Sequence, residues 1–372
     1  MNLLLPRIAL VHRELLMMSA VHTSACGWMT FAALVLSSSG ICLAEEPIVP
    51  AGAKVEKLFE GITLTEGVSV ASDGMVYFSD ITFSHVSRKD DGSVHAGHIW
   101  KFDPATKQTT IFRSPSGMSN GIKFDSAGNM IVALGADFGG RAVIRTDMKT
   151  GMSDIIVGLY DGKKFNSPND ITIDEKGRIY FSDPRYMGHE SIEQPVVGVY
   201  RIDPDGTVTR IITDAGKANG VCVSPDQKKL YVVSNENGVT GIEQLASPES
   251  DRPDKGLPPH RKGLMALLAY DLHDDGSATF DRILVDYSPF DGPDGLVVDA
   301  DGNLYVAVRA ENRPGIVIYN PDGKELGYIK TEIPTNVGFG RGEDSNLLYI
   351  TAGKSLYRIR LNCVGYHLPP KP

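Results

Sequence analysis

Asn166–Asp183 reads NSPNDITIDEKGRIYFSD, and its reading decides the fold. A polar turn opens it, carrying the adjacent amide and carboxylate of Asn169 and Asp170. Apolar and polar residues alternate through Ile171, Ile173 and Asp174, a Lys-Gly turn falls at Lys176–Gly177, and Ile179, Tyr180 and Phe181 run on to Asp183. Strand, glycine turn and strand spell a β-hairpin with polar residues held at its mouth.

The chain repeats this phrase. Glu66 opens EGVSVASDGMVYFSD, Asn120 opens NGIKFDSAGNMIVAL, Asn219 opens NGVCVSPDQKKLYVVSN and Asp294 opens DGLVVDADGNLYVAV; a looser copy, NVGFGRGEDSNLLYITAG, starts at Asn336. Between copies lies one further strand that closes in a charged turn, as in HIWKFDPATKQ from His98 or GVYRIDPDG from Gly198. From Glu66 through Asn120, Asn169, Asn219 and Asp294 to Asn336 the steps are 54, 49, 50, 75 and 42 residues. A period of about 40–50 residues with four strands per unit predicts an all-β chain folded as a six-bladed β-propeller around a central tunnel. Lys54–Ile62 (KVEKLFEGI) precedes the first copy and is expected to supply the outer strand of the last blade. The long interval holds an insertion at about 235–262, rich in proline and charge, which reads as a lid over one face or as a disordered surface insert.

Composition sets the outer bounds. The chain has 372 residues, is 42% hydrophobic and 22% charged, and carries a net charge of −9. That balance, without a basic stripe, argues against nucleic acid as partner. Residues 1–44 differ from the rest: Trp28–Leu43 is an apolar run, and Cys42-Leu43-Ala44 before Glu45 is a small-residue cleavage site. They read as a leader that exports a mature domain of residues 45–372 to a periplasmic or extracellular space, with the true start at Met17 or Met18. An uncleaved membrane anchor is the other reading; nothing in the body is long and apolar enough to span a bilayer. Cys222 and Cys363 remain in the mature chain, Cys222 in an apolar run that suggests a buried small hydrophobe, and a disulfide between them is open. No surface patch is legible, so a monomer is expected.

Strand starts at one level of a ring converge, which would gather Glu66, Asn120, Asn169, Asn219, Asp294 and Asn336 in one funnel. Carboxylates and amide carbonyls are hard oxygen ligands suited to calcium, or less selectively to magnesium or manganese. Turn capping alone also accounts for Asn and Asp before a strand, though not for a polar residue at the same inner point of every copy. Arg185, Tyr186 and His189 follow the third copy, where they could overhang the funnel and orient a substrate or form a solvated loop. Gly117–Gly121 matches GxSxG, but it opens a hairpin and not the strand–turn–helix that a nucleophile elbow needs. The histidines, among them His85, His95 and His98, lack zinc spacing.

TEGVSV from Thr65, PSGMSNGIKFD from Pro115, NSPNDITIDEKGRIYFSDPRY from Asn166, ANGVCVSPD from Ala218 and PDGLVVDADGNLYVA from Pro293 together resemble the gluconolactonase family. That family includes senescence marker protein and luciferin-regenerating enzyme and is related in fold to diisopropyl fluorophosphatase. The resemblance covers about Glu60 to Arg360. It implies one catalytic divalent cation in the tunnel, calcium first and zinc, manganese or magnesium otherwise, held by Glu66, Asn169, Asn219 and Asp294. Asp294 would also be the base for hydrolysis of a small lactone such as an aldonolactone, with Asn120 and Asp170 as further substrate contacts. This chain departs from the pattern in having Gly67-Val68 after the glutamate, Ser167 where animal members carry a sugar-binding arginine, and Leu134–Asp137 where many bacterial members carry Glu-His-Gly. The cation site is therefore expected to transfer, and the sugar preference is not. Hydrolysis of an organophosphate or another ester, and a non-enzymatic ligand-binding propeller, are the competing functions.

Overall fold

The computed structural model describes residues 46–84, 88–236 and 263–370. The expected leader, His85 and all but the first two residues of the expected insertion lie outside the described residues.

Among the described residues there are six four-stranded antiparallel sheets and one short hairpin, Leu159–Tyr160 with Lys163–Lys164. Blade 1 is Leu64–Val70, Val76–Ile81, His98–Asp103 and Gln108–Arg113. Blade 2 is Ser119–Phe124, Met130–Leu134, Ala142–Thr146 and Ser153–Val157. Blade 3 is Ile171–Ile173, Ile179–Ser182, Val199–Ile202 and Val208–Ile212. Blade 4 is Ala218–Val223, Lys229–Asn235, Met265–Leu272 and Ala278–Asp286. Blade 5 is Pro293–Val298, Leu304–Val308, Gly315–Tyr319 and Glu325–Lys330. Blade 6 is Pro334–Phe339, Leu347–Ala352 and Ser355–Arg360, completed by Glu56–Glu60, which pairs antiparallel with Ser355–Arg360. The first strand of each blade is innermost and packs on the first strands of both neighbours, closing the ring. The molecule is a six-bladed β-propeller, as the repeats predict.

The ring follows from the strand pattern. A strand's successive side chains face opposite sides of its sheet, and here both sides meet a neighbour. Val76 and Phe78 pack toward blade 6 while Tyr77 packs toward blade 2; Leu304 and Val306 pack toward blade 4 while Tyr305 packs toward blade 6. One apolar cluster fills each of the six junctions. Burying a single side chain of this size stabilises by about 1.5–3 kcal/mol, which no isolated blade could collect on both faces. The repeated hairpin turn depends on glycine: Gly177 has φ +80° and donates its N–H to the Asp174 carbonyl, a conformation costly for a residue with a Cβ.

The only helix among the described residues is a 3-10 turn at Gly342–Asp344, and none is long and apolar enough to cross a membrane. Beyond blade 6 the chain turns back across the ends of the inner strands. Gly365 N–H donates to the Ser345 carbonyl, Tyr366 N–H to the Val298 carbonyl and Tyr366 OH to Glu175, and Leu368 packs on the junction of blades 2 and 3. Cys222 and Cys363 are both free thiols, in separate junctions.

Candidate active site

The anchors are aimed by bulges. In five of the six inner strands the register slips at the anchor: between Glu66 and Ser69, Ser119 and Ile122, Ala218 and Val221, Pro293 and Leu296, and Pro334 and Asn336. A bulge turns a side chain out of the sheet's alternation, here toward the tunnel. In blade 3 the ladder starts one step later, with Asn169 N–H on the Ser182 carbonyl and Ser182 N–H on the Asp170 carbonyl. Where glycine follows the anchor, the next blade comes close. A Cβ on Gly67 (φ +55°) would stand 1.9 Å from the Asn120 carbonyl oxygen, and one on Gly220 would stand 2.5 Å from that of Asp294. The second strand of two hairpins also ties down the approach to its own anchor. Asp183 accepts the N–H groups of Asn166 and Ser167, and Asp80 accepts those of Ile62, Thr63 and Leu64.

Glu66, Asn120, Asn169, Asn219 and Asp294 meet in the floor of one cavity of about 210 Å³ at the starts of the inner strands. All five are buried. Asn336 sits beside them, its Nδ2 donating to Glu66 Oε2 at 3.4 Å. Asp170 occupies the place that glycine holds in most copies and lies beneath the floor, where its Oδ2 accepts the Val221 N–H at 3.1 Å. Burial lifts the carboxyls of Glu66 and Asp170 above the usual range, and for Glu66 the neighbouring Asp294 and Asp170 add to it. Burial also raises Asp294, to about 6, against the pull of Arg309.

Tyr186 lines the cavity, its hydroxyl on the Asn235 carbonyl and its ring under the Lys217 ammonium at 5.2 Å. Arg185 does not line it. Its buried guanidinium is spent on the carbonyls of Asn166 and Glu190 and on the Glu190 carboxylate, while that carboxylate accepts the N–H groups of Asp137 and Phe138. Arg185 therefore ties together the loops that carry Tyr186 and Asp137. His189 stands at the rim with Nδ1 3.4 Å from Asp137 Oδ1.

Sequence reasoning missed Arg309, Asn235 and Asp137, all of which line the cavity. Arg309 donates to Asp294 Oδ2 at 2.9 Å. A repeat signal for it exists. Ile81 and Asn235 close the second strand of their copy, Gly135 and Arg309 directly follow theirs, and all four reach the cavity.

The floor suits a hard divalent cation. Asn120 Oδ1 and Asp170 Oδ1 are buried without a hydrogen-bond partner, and crowded carboxyls are what a positive ion relieves. Among the described residues no three His, Cys, Asp or Glu side chains stand close enough to share an ion; the donor set here is two carboxylates with amide oxygens.

Fold and floor thus define a class: a six-bladed propeller whose inner strands deliver acids and amides to one end of its tunnel. The chain belongs to the SMP-30/gluconolactonase/LRE-like family, whose sequence profile matches residues 64–241 and 264–354. It is similar to the gluconolactonase of Zymomonas mobilis, with 33% identity over 263 residues, 68% of this chain and 65% of that protein, so the match spans just under two thirds of that relative's length. Lactonase drp35 of Staphylococcus epidermidis is 29% identical over 271 residues, 71% of this chain and 68% of that one. The solved structure of a gluconolactonase from Xanthomonas campestris superposes with a TM-score of 0.65 at 24% identity, over 85% of this chain and 95% of that chain, a likeness of fold.

Proposed function

We propose that this chain hydrolyses a small lactone, using one divalent cation, calcium foremost, held by Glu66, Asn169, Asn219 and Asp294. The observation that carries the reading is the buried floor, where two carboxylates and three amides meet and Asn120 Oδ1 is left without a hydrogen-bond partner; the lactonases among its relatives support the substrate class. When bound, the cation polarises a carbonyl and acidifies water. Asp294 is the base. Arg309 holds its Oδ2, which fixes the carboxylate's orientation and leaves its remaining lone pairs to face the cation and the proton of the attacking water. The water oxygen adds to the lactone carbonyl carbon, the ring C–O bond breaks, and the proton passes to the departing alkoxide, giving a hydroxy acid. Tyr186 and Asn120 border the reacting ring. A monomer is proposed, and the leader would carry the domain out of the cytoplasm.

The test is acid release from D-glucono-1,5-lactone and a panel of other lactones above their spontaneous hydrolysis. Cation-stripped protein would be compared with and without added calcium, zinc, manganese or magnesium. Turnover restored by a cation and lost in Asp294→Ala is expected. Turnover of a phosphotriester or simple ester, with no lactone consumed, would move the function to that chemistry. A calcium-dependent rise in melting temperature with nothing hydrolysed would make the protein a binding propeller.

A further inference from the structure

The walls of the cavity differ from its floor. Above the anchors, on the side of blades 1 and 2, stand Leu64, Ile81, Phe83, Met118 and Ala136, with Met187 from the Tyr186 loop. The polar side chains of the wall already hold protein partners. Thr82 Oγ1 donates to the His95 carbonyl, and Ser167 Oγ accepts the Ala136 N–H at 3.0 Å. Both Asp137 oxygens are taken by Ser84, at 2.7 Å each. Tyr186 OH donates to the Asn235 carbonyl and Asn235 Nδ2 to the Gly292 carbonyl at 2.8 Å. A ring hydroxylated on every carbon would give up hydrogen bonds to water and find few replacements there, which is unfavourable for each group left unpaired. A hydrocarbon substituent loses nothing on entering and removes apolar surface from water.

We infer that the preferred substrate is a lactone bearing a short hydrocarbon substituent, its ring over the floor and its substituent against Leu64, Ile81, Phe83, Met118 and Met187. This rests on the hydrolase reading above and names its substrate class. A space of about 210 Å³ accommodates one ring with a short chain.

The experiment compares two six-membered lactones on the calcium-loaded protein, δ-octalactone and D-glucono-1,5-lactone. For each, kcat/KM is divided by the spontaneous hydrolysis rate. The alkyl lactone is expected to lead by about tenfold or more, chiefly through KM. Phe83→Ser and, separately, Met187→Ser should each narrow the gap severalfold by raising KM for the alkyl lactone, with melting temperatures confirming that the variants are folded. An equal or reversed preference in the unmodified protein overturns the substrate class and leaves the hydrolase reading standing. If neither lactone is turned over with any cation, the hydrolase reading fails and the substrate class falls with it.

Discussion

The two ends of the tunnel are built from the same six inner strands and carry opposite charge. At the strand starts, Glu66, Asp294 and Asp137 share a cavity with a single lining arginine, Arg309. At the strand ends, Lys123, Arg341 and His367 line a smaller space of about 80 Å³, and Tyr366–Leu368 form part of its wall. Between the two, Lys123 draws the buried Asp170 carboxyl down while burial pushes it up. His367 shows what the basic end does to a titratable group: burial, then Arg341 and Lys123, hold its imidazole at about 4 although Nε2 meets the Gly340 carbonyl at 2.8 Å. A ring of repeats thus sorts charge by height. The acidic end carries the proposed cation site; the basic end is covered by the chain's own tail.

If that division is right, variants at the two ends separate activity from stability. The largest effect is expected at Asp294: Asp294→Ala should lower kcat/KM by about 10³-fold or more and weaken the calcium-induced rise in melting temperature. Retained turnover would break the assignment. Gly220→Ala joins the two properties, because its Cβ would meet the Asp294 carbonyl at 2.5 Å; a loss of about 2–3 kcal/mol in urea unfolding is expected, with activity falling as the floor is displaced.

At the basic end, His367 has a folded pKa of about 4 and an ordinary one of 6.5. The unfolded chain therefore binds the extra proton first. Its contribution to stability is whole above about pH 6.5 and is lost as the pH falls toward 4, on the order of 3 kcal/mol. His367→Gln should flatten that part of the stability–pH curve and leave lactone turnover at pH 7 within about twofold; a matching loss of activity would show that the ends are not independent. The smallest effect is expected for Glu66→Gln, which removes one of the crowded carboxyls. In cation-free protein it should raise the melting temperature by a few degrees, about 1 kcal/mol, while abolishing the further rise expected from calcium in the unmodified protein.

The fold was legible because a hydrophobic period of two, broken by glycine turns and restarted every few dozen residues, has few other solutions. The anchors were legible for the same reason: Glu66, Asn120, Asn169, Asn219 and Asp294 stand at one point of the repeat, and geometry brings that point to the axis. Arg185 and Tyr186, outside the repeat, could be placed in a loop but not oriented. Only the fold decides that Tyr186 lines the cavity while Arg185 turns back to bind Asn166 and Glu190. Arg309 escaped notice because it follows an apolar strand like any surface residue. The position becomes informative only once Asn235, at the same place in its own copy, is seen beside it. The bulges that aim the anchors leave no composition signal beyond the small residue that follows most of them.

Blade 6 is made from both ends of the domain, with Glu56–Glu60 laid against Ser355–Arg360. Every other sheet can form as its own segment emerges during synthesis, but this one must wait for a partner some 300 residues away in sequence. Until Glu56–Glu60 docks on it, Ser355–Arg360 is a free edge ready to recruit another chain. A protein trimmed past Glu60 would keep all the residues of its cavity floor and still be prone to clump, so its aggregation would report the missing strand.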